Sequence, residues 1–214
     1  MIADADCAKE GERMDQPDIV LKCIFKERQS SRRAIFLDRD GVLNRVVLRN
    51  GKPHPPDNID ELKILDGVQE ALAEFANQGF LLFVATNQPD VARGKQQRAV
   101  VDAINKRLAE ALPLDGFYVC FHDDADECEC RKPKPGLLLA AAAEHGVSLA
   151  ASYMIGDRWR DVETGQRAGC RTVWIDCGYA ERGPSVPPDV AVKSLPEAVA
   201  WILQTENQKG TVQI

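Results

Sequence analysis

The run AIFLDRDGVLN (Ala34–Asn44) decides how the rest of the chain is read. Four apolar residues stop abruptly at Asp38-Arg39-Asp40-Gly41. An apolar run without polar alternation is the pattern of a strand buried on both faces, and such strands belong to parallel sheets. Asp38 and Asp40 then stand just past the strand end, two residues apart, with Gly41 bending the chain. Carboxylates this close repel, so a cation or a raised pKa is expected beside them. Taken alone, the stretch is an equally good turn signal.

Outward from it the same alternation repeats. GVQEALAEFANQG sets Val68, Leu72 and Phe75 on one helical face and stops at Gly79. FLLFVATNQ is a second apolar run ending in polar residues. KQQRAVVDAINKRLAEAL predicts an amphipathic helix, FYVCF a short strand and GLLLAAAAEHG an alanine-rich helix. SYMIGD, DVETGQRAG, RTVWID and SLPEAVAWILQ follow as strand, helix, strand and terminal helix. The fold class is therefore α/β: a three-layer, Rossmann-like arrangement with a central, mainly parallel sheet and helices on both faces. Such folds carry their sites at the carboxyl ends of the strands.

The bulk numbers fit one soluble globular domain of 214 residues, 44% hydrophobic and 28% charged. A net charge of -6 counts against nucleic-acid or anionic-membrane partners. No apolar run approaches the ~20 residues a bilayer span needs. MIADADCAKEGERMDQPD lacks the apolar segment of a secretory signal. Seven cysteines, an odd number, suit reduced thiols and bound metal better than a secreted disulfide framework. A cytoplasmic monomer is expected. The expected organisation is a polar extension over residues 1–33, a single domain over 34–207 and a tail over 208–214. IVLKCIF is the extension's one apolar stretch.

The residues behind each strand carry the chemistry. After the first come Asp38 and Asp40. After the second come Thr86, Asn87 and Gln88, a hydroxyl and amides that bind an anion without adding charge. After FYVCF the chain reaches Arg131 and Lys132, and after SYMIG it reaches Asp157, Arg158 and Asp161. A carboxylate pair, a hydroxyl, a cation and a carboxylate, in that order, suit phosphoryl transfer to a carboxylate nucleophile with Mg²⁺.

YVCFHDDADECECRKPKPG holds Cys120-x-His122 and Cys128-x-Cys130. Three thiolates and an imidazole suit tetrahedral Zn²⁺, and four protein ligands leave no open position, so the metal would be structural. A Cys128–Cys130 disulfide would close a very small, strained ring.

DRDGVLN, TNQ, RKPKPG and GDRWRD resemble the four motifs of the haloacid dehalogenase superfamily of phosphatases over roughly Ala34 to Cys177. The resemblance implies Asp38 as nucleophile and Asp40 as general acid and base. It implies Thr86 and Asn87 as holders of the phosphoryl group and Lys132 as its neutraliser. Mg²⁺ would sit on Asp38, the Asp40 backbone carbonyl and Asp157, with Asp161 in support. The zinc loop running into RKPKPG resembles the branch of heptose bisphosphate and histidinol-phosphate phosphatases, which lack a large cap domain. TNQPDVARG resembles the heptose members of that branch, which implies a small sugar phosphate, D-glycero-D-manno-heptose 1,7-bisphosphate losing its 7-phosphate. The five residues between His122 and Cys128 favour histidinol phosphate. Under the heptose reading Gln88, Arg93, Arg131, Arg158 and the loop Arg45 to Arg49 would meet the substrate. The remaining alternatives are a polynucleotide-end phosphatase, disfavoured by the acidic balance, and a non-catalytic module, disfavoured by the intact Asp38–Asp40 pair.

Overall fold

The computed structural model of the protein describes residues 32–49 and 52–211. Of the expected extension over residues 1–33, all but Arg32 and Arg33 lies outside the described residues, as do the last three residues of the expected tail.

Six parallel strands form one sheet. In chain order they are β1 (Arg33–Leu37), β4 (Phe80–Asn87), β5 (Gly116–Cys120), β6 (Tyr153–Gly156), β7 (Arg171–Ile175) and β8 (Val190–Val192). In space the order is β5-β4-β1-β6-β7-β8, with β1 near the middle. The helices are α1 (Val68–Asn77), α2 (Arg98–Ala111), α3 (Gly136–His145), α4 (Trp159–Ala168) and α5 (Leu195–Thr211).

The strands are apolar throughout because both faces are covered. Along β1, Ile35 and Leu37 join a core cluster with α1, α2 and α5, while Ala34 and Phe36 join a second cluster with α3. This is the period-two alternation of a strand between two helical layers. In the first layer Val68, Leu72 and Phe75 are buried on α1, the face read from the sequence. α5 runs on to Thr211, past residue 207, where the tail was expected to begin. Glu206 ties it down, accepting from Arg33 Nη1 and from Tyr153 OH, both at 2.5 Å.

The stretch from Asn44 to Leu62 holds two short antiparallel strands. These are β2 (Val47–Arg49) and β3 (Lys52–His54), followed by a 3-10 turn over Ile59–Glu61. Three-residue strands rich in Arg, Lys, Pro and His carry no buried stripe, so hydrophobic periodicity misses them. No cap domain is inserted among the described residues.

Register brings the strand ends level. Leu37 pairs with Val84 on one side and Ile155 on the other, so Asp38, Ala85 and Gly156 share the next row. The Asp38 N–H donates to Ile155 O at 2.9 Å. Strand order reverses around β1, and a crevice at that reversal is where open α/β sheets bind ligands.

Candidate active site

Four neighbouring strands end in one cleft of about 470 Å³, lined by Asp38, Asp40, Thr86, Lys132 and Asp157 among others. At its floor Lys132 is 2% exposed. Its Nζ lies 2.9 Å from Asp38 Oδ1 and 2.5 Å from Asp161 Oδ1, and donates to Ala85 O at 2.8 Å. Burial pushes the ammonium pKa down, but the charges of Asp161 and Asp38 outweigh it and the net shift is upward. Asp38 is pushed up to about 6, first by burial. Lys132 opposes that rise, while Asp161 and Asp40 add to it. Both bonds that Asp38 accepts, from Lys132 and from the Arg39 N–H at 2.8 Å, fall on Oδ1.

Asp161 is held twice. Oδ1 takes Lys132, and Oδ2 accepts the Arg158 N–H at 3.0 Å, capping α4. Gly156 makes room for this: a Cβ there would lie 2.1 Å from the Asp161 Cβ. Asp157 is the contrary case. It is 2% exposed, its peptide carbonyl accepts from Trp174 Nε1 at 3.1 Å, and neither carboxylate oxygen has a hydrogen-bond partner. The Tyr179 hydroxyl is close enough to favour the Asp157 carboxylate without closing a bond of normal geometry. Burial, and then the charges of Asp38 and Asp161, raise the Asp157 pKa well above the usual carboxylate value.

A buried, unpartnered carboxylate beside two others is the donor set of a hard cation such as Mg²⁺. Oxygens of Asp38, Asp157 and Asp161 lie within 4.8 Å of one another. Asp161 is already engaged, so Asp38 and Asp157 are the free pair. Gly41, at φ +93°, keeps the place open: a Cβ there would lie 1.8 Å from Asp157 Oδ2. Asp40 directs its side chain elsewhere. Oδ2 accepts from Arg39 Nε at 3.1 Å, Arg39 Nη2 at 2.9 Å and Gln88 Nε2 at 2.8 Å, and Oδ1 accepts from Asn44 Nδ2 at 2.9 Å. That leaves the Asp40 main-chain carbonyl as the atom it can offer a cation.

Sequence reading passed over Arg39, Asn44 and Asn105. Arg39 is fully buried and spans Asp40 and Asn105 Oδ1, the latter at 2.9 Å. The available signal was a charged residue inside an apolar-flanked DRD run, which on a buried strand end needs an acidic partner.

The β4 end arranges donors around the floor. Gln88 is 3% exposed, and its amide donates to Asp40 and to Thr86 Oγ1, the latter at 3.1 Å. Thr86 therefore accepts there and keeps its own proton for another acceptor. Asn87 binds the Lys132 main chain in both directions at 3.1 Å, donating from Nδ2 and accepting on Oδ1. Both amides line the cleft, where they were expected to meet substrate, and these bonds also brace Asp40, Thr86 and the Lys132 main chain. Arg131 also differs from expectation. It does not line the cleft: Nε donates to Asp124 Oδ1 at 2.8 Å and Nη1 to His122 O at 3.2 Å. Its high donor count and the short loop draw it back onto its own carbonyls and acids.

Cys120, His122, Cys128 and Cys130 converge as a second group. Cys120 Sγ lies 3.7 Å from both His122 Nδ1 and Cys128 Sγ, and Cys130 Sγ lies 3.4 Å from His122 Nδ1 and Cys128 Sγ. A tetrahedron with Zn–S bonds of about 2.3 Å has edges of about 3.8 Å, so the residues fit that ion. No disulfide forms among the described cysteines. Burial pushes the Cys120 thiol pKa up, so a cation is needed to hold it as thiolate.

At the rim, Arg158 grips Glu181 through Nε at 3.0 Å and through Nη2. Arg49 pairs with Asp57, and Arg93 with Asp123. Arg49, Arg93 and Arg158 all line the cleft, whereas Arg45 does not. Lys95 and Arg160, absent from the sequence reading, line it too.

Known proteins bear on this geometry. Residues 129–198 match the HAD-hydrolase-like family model. The D-glycero-beta-D-manno-heptose-1,7-bisphosphate 7-phosphatase of Escherichia coli K12 is 38% identical over 184 residues, covering 80% of this chain and 88% of that protein. The chain belongs to the haloacid dehalogenase-like phosphatases. A Pasteurella multocida family member of the same name is 37% identical over 159 residues, 69% of this chain and 83% of its own. Among solved family structures, the D,D-heptose 1,7-bisphosphate phosphatase from B. bronchiseptica, complexed with magnesium and phosphate, aligns with TM-score 0.65 and 28% identity. That alignment covers 81% of this chain and 99% of the other. As a family member this protein is a phosphoric monoester hydrolase. No helix among the described residues is long and apolar enough to cross a membrane.

Proposed function

We propose that this phosphatase removes the 7-phosphate of D-glycero-D-manno-heptose 1,7-bisphosphate through a phosphoryl-Asp38 intermediate. The observation that carries the reading is Lys132 at 2.9 Å from Asp38, on the floor of a cleft whose rim holds Arg49, Arg93 and Arg158. The floor suits a transferring phosphoryl group and the rim suits a second phosphate. The named relatives, 38% identical over most of the chain, support heptose bisphosphate as the molecule that carries both.

An Asp38 oxygen attacks phosphorus, and the sugar alkoxide departs with a proton from Asp40. Thr86 Oγ donates to one phosphoryl oxygen, and Lys132 neutralises another. Water then attacks the phosphoryl-Asp38, Asp40 takes its proton, and phosphate leaves with the Asp38 carboxylate restored. Arg39, Asn44 and Gln88 keep Asp40 aimed through both steps. Bound Mg²⁺ supplies screening between the incoming phosphate and the nucleophile, held by Asp38, Asp157 and the Asp40 carbonyl. A structural Zn²⁺ on the cysteine cluster, a monomeric state and a cytoplasmic location complete the proposal.

The histidinol-phosphate reading keeps one supporting observation, the five residues between His122 and Cys128. The deciding measurement is kcat/KM for both anomers of the heptose bisphosphate against histidinol phosphate. The bisphosphate is expected to lead by about tenfold or more. A preference for histidinol phosphate overturns the assignment.

A further inference from the structure

Arginines at the cleft rim converge on two neighbouring aspartates. Arg93, in the turn after β4, gives Nε to Asp123 Oδ2 at 2.8 Å, Nη2 to Asp123 Oδ1, and Nη1 to Asp90 Oδ1 at 3.3 Å. Arg160, in the first turn of α4, gives Nη1 to Asp124 Oδ1 at 3.3 Å and to Lys132 O at 3.2 Å. Arg131 Nε donates to the same Asp124 oxygen at 2.8 Å. Three arginines from separate parts of the chain thus land on the two residues that follow His122.

Those two residues are themselves fixed. Asp123 Oδ1 accepts the Asp124 N–H at 2.7 Å, and the Asp123 N–H donates to Asp126 Oδ2 at 2.7 Å. The loop is anchored at both ends by the Cys120, His122, Cys128 and Cys130 cluster. The Arg93 and Asp123 side chains remain 35% and 29% exposed, so their pairing adds little to stability. Its consequence is geometric. A free arginine carries rotamer entropy that binding would have to overcome. Three of the five Arg93 N–H donors are occupied, leaving two for an anion in the cleft.

We propose that Asp123 is a positioning residue for the reaction: from the loop that Cys120, His122, Cys128 and Cys130 draw together, it holds the Arg93 guanidinium at the rim, where Arg93 receives the second phosphate of the substrate. This rests on the bisphosphate reading above. The loop then sets substrate affinity while the floor of the cleft performs the chemistry.

The test compares wild type, Asp123→Asn, Asp123→Glu and the double variant Asp123→Asn with Arg93→Ala. Steady-state constants are measured on heptose 1,7-bisphosphate and on p-nitrophenyl phosphate, together with zinc content per chain. Asp123→Asn is expected to raise KM for the bisphosphate about tenfold with kcat within about twofold. It is expected to raise KM for p-nitrophenyl phosphate no more than about twofold and to keep its zinc. Asp123→Glu should recover most of the affinity. Arg93→Ala should add little on top of Asp123→Asn, because the two act as one unit. An unchanged KM for the bisphosphate, an equal rise for both substrates, or loss of zinc overturns the proposal. If wild type hydrolyses p-nitrophenyl phosphate but not the heptose bisphosphate, the substrate assignment fails instead. The inhibition constant of fructose 1,6-bisphosphate against p-nitrophenyl phosphate then reads the same comparison, and an unchanged value in Asp123→Asn overturns the positioning role.

Discussion

The side chain on which everything else turns is Asp38. Its neighbours make it both reactive and unstable when ionised: Lys132 stabilises the charge, while burial, Asp161 and Asp40 oppose it. Asp38→Asn keeps the shape and removes the nucleophilic oxygen. Turnover of any phosphomonoester is expected to fall at least about 10³-fold, measured by phosphate release; retained turnover would refute the mechanism. The pH dependence follows from the raised pKa. A carboxyl raised from 3.8 to about 6 lends the metal-free fold stability that is complete below pH 3.8 and lost as pH rises through about 6. A cation that takes the place of the proton then stabilises most where the proton is gone. The rise in Tm caused by Mg²⁺ is expected to be small near about pH 5 and larger near about pH 7.5. A shift independent of pH would count against the Asp38–Asp157 cation site. Asp38, Asp40, Thr86, Lys132 and Asp157 were all legible as residues standing behind strands. The Gln88 bond to Asp40 and the Asn105 bond to Arg39 were not, because they join residues 48 and 66 apart in the chain and only packing brings them together.

At the scale of elements, α1 shows what periodicity can and cannot deliver. Its buried face was readable because Val68, Leu72 and Phe75 recur at helical spacing, and those residues are buried. Phe75 is fully buried and packs edge-on to Phe80 with ring centroids 6.0 Å apart. Phe75→Ala should destabilise the fold by about 3–5 kcal/mol in chemical denaturation, with the slope of the transition unchanged. A loss under about 1 kcal/mol would mean that the α1 layer collapses onto the gap. The hairpin of β2 and β3 was invisible to the same method because it buries no stripe, yet it brings Arg49, Pro53 and His54 to the cleft. β8 escaped notice for a related reason: three residues at a sheet edge are too few to show a period.

Across the whole molecule, two clusters of metal-ligating side chains stand beyond the strand ends, and the proposed function gives each a different cation. The carboxylates near Asp157 would hold Mg²⁺ for chemistry, and the thiols would hold Zn²⁺ to fix their loop. Purified protein is expected to carry about one zinc per chain by elemental analysis. Removal of that zinc by a chelator should lower Tm by several degrees while circular dichroism keeps the signal of the sheet and helices. Protein free of zinc at full stability would remove the structural role. The sequence alone revealed the α/β class, the order of five of the strands and of the five helices, and which residue types stand at the strand ends. It could do so because apolar runs and motif spacing are local properties of the chain. Only the tertiary structure decided which of those side chains face substrate and which brace their neighbours. Gln88, Asn87 and Arg131 read alike as ligand-binding groups, yet Gln88 and Asn87 line the cleft while bracing Asp40, Thr86 and the Lys132 backbone, and Arg131 lies outside it on Asp124. A hydrogen-bonding side chain goes to the acceptor that folding places beside it, and that acceptor is set by contacts between residues distant in sequence.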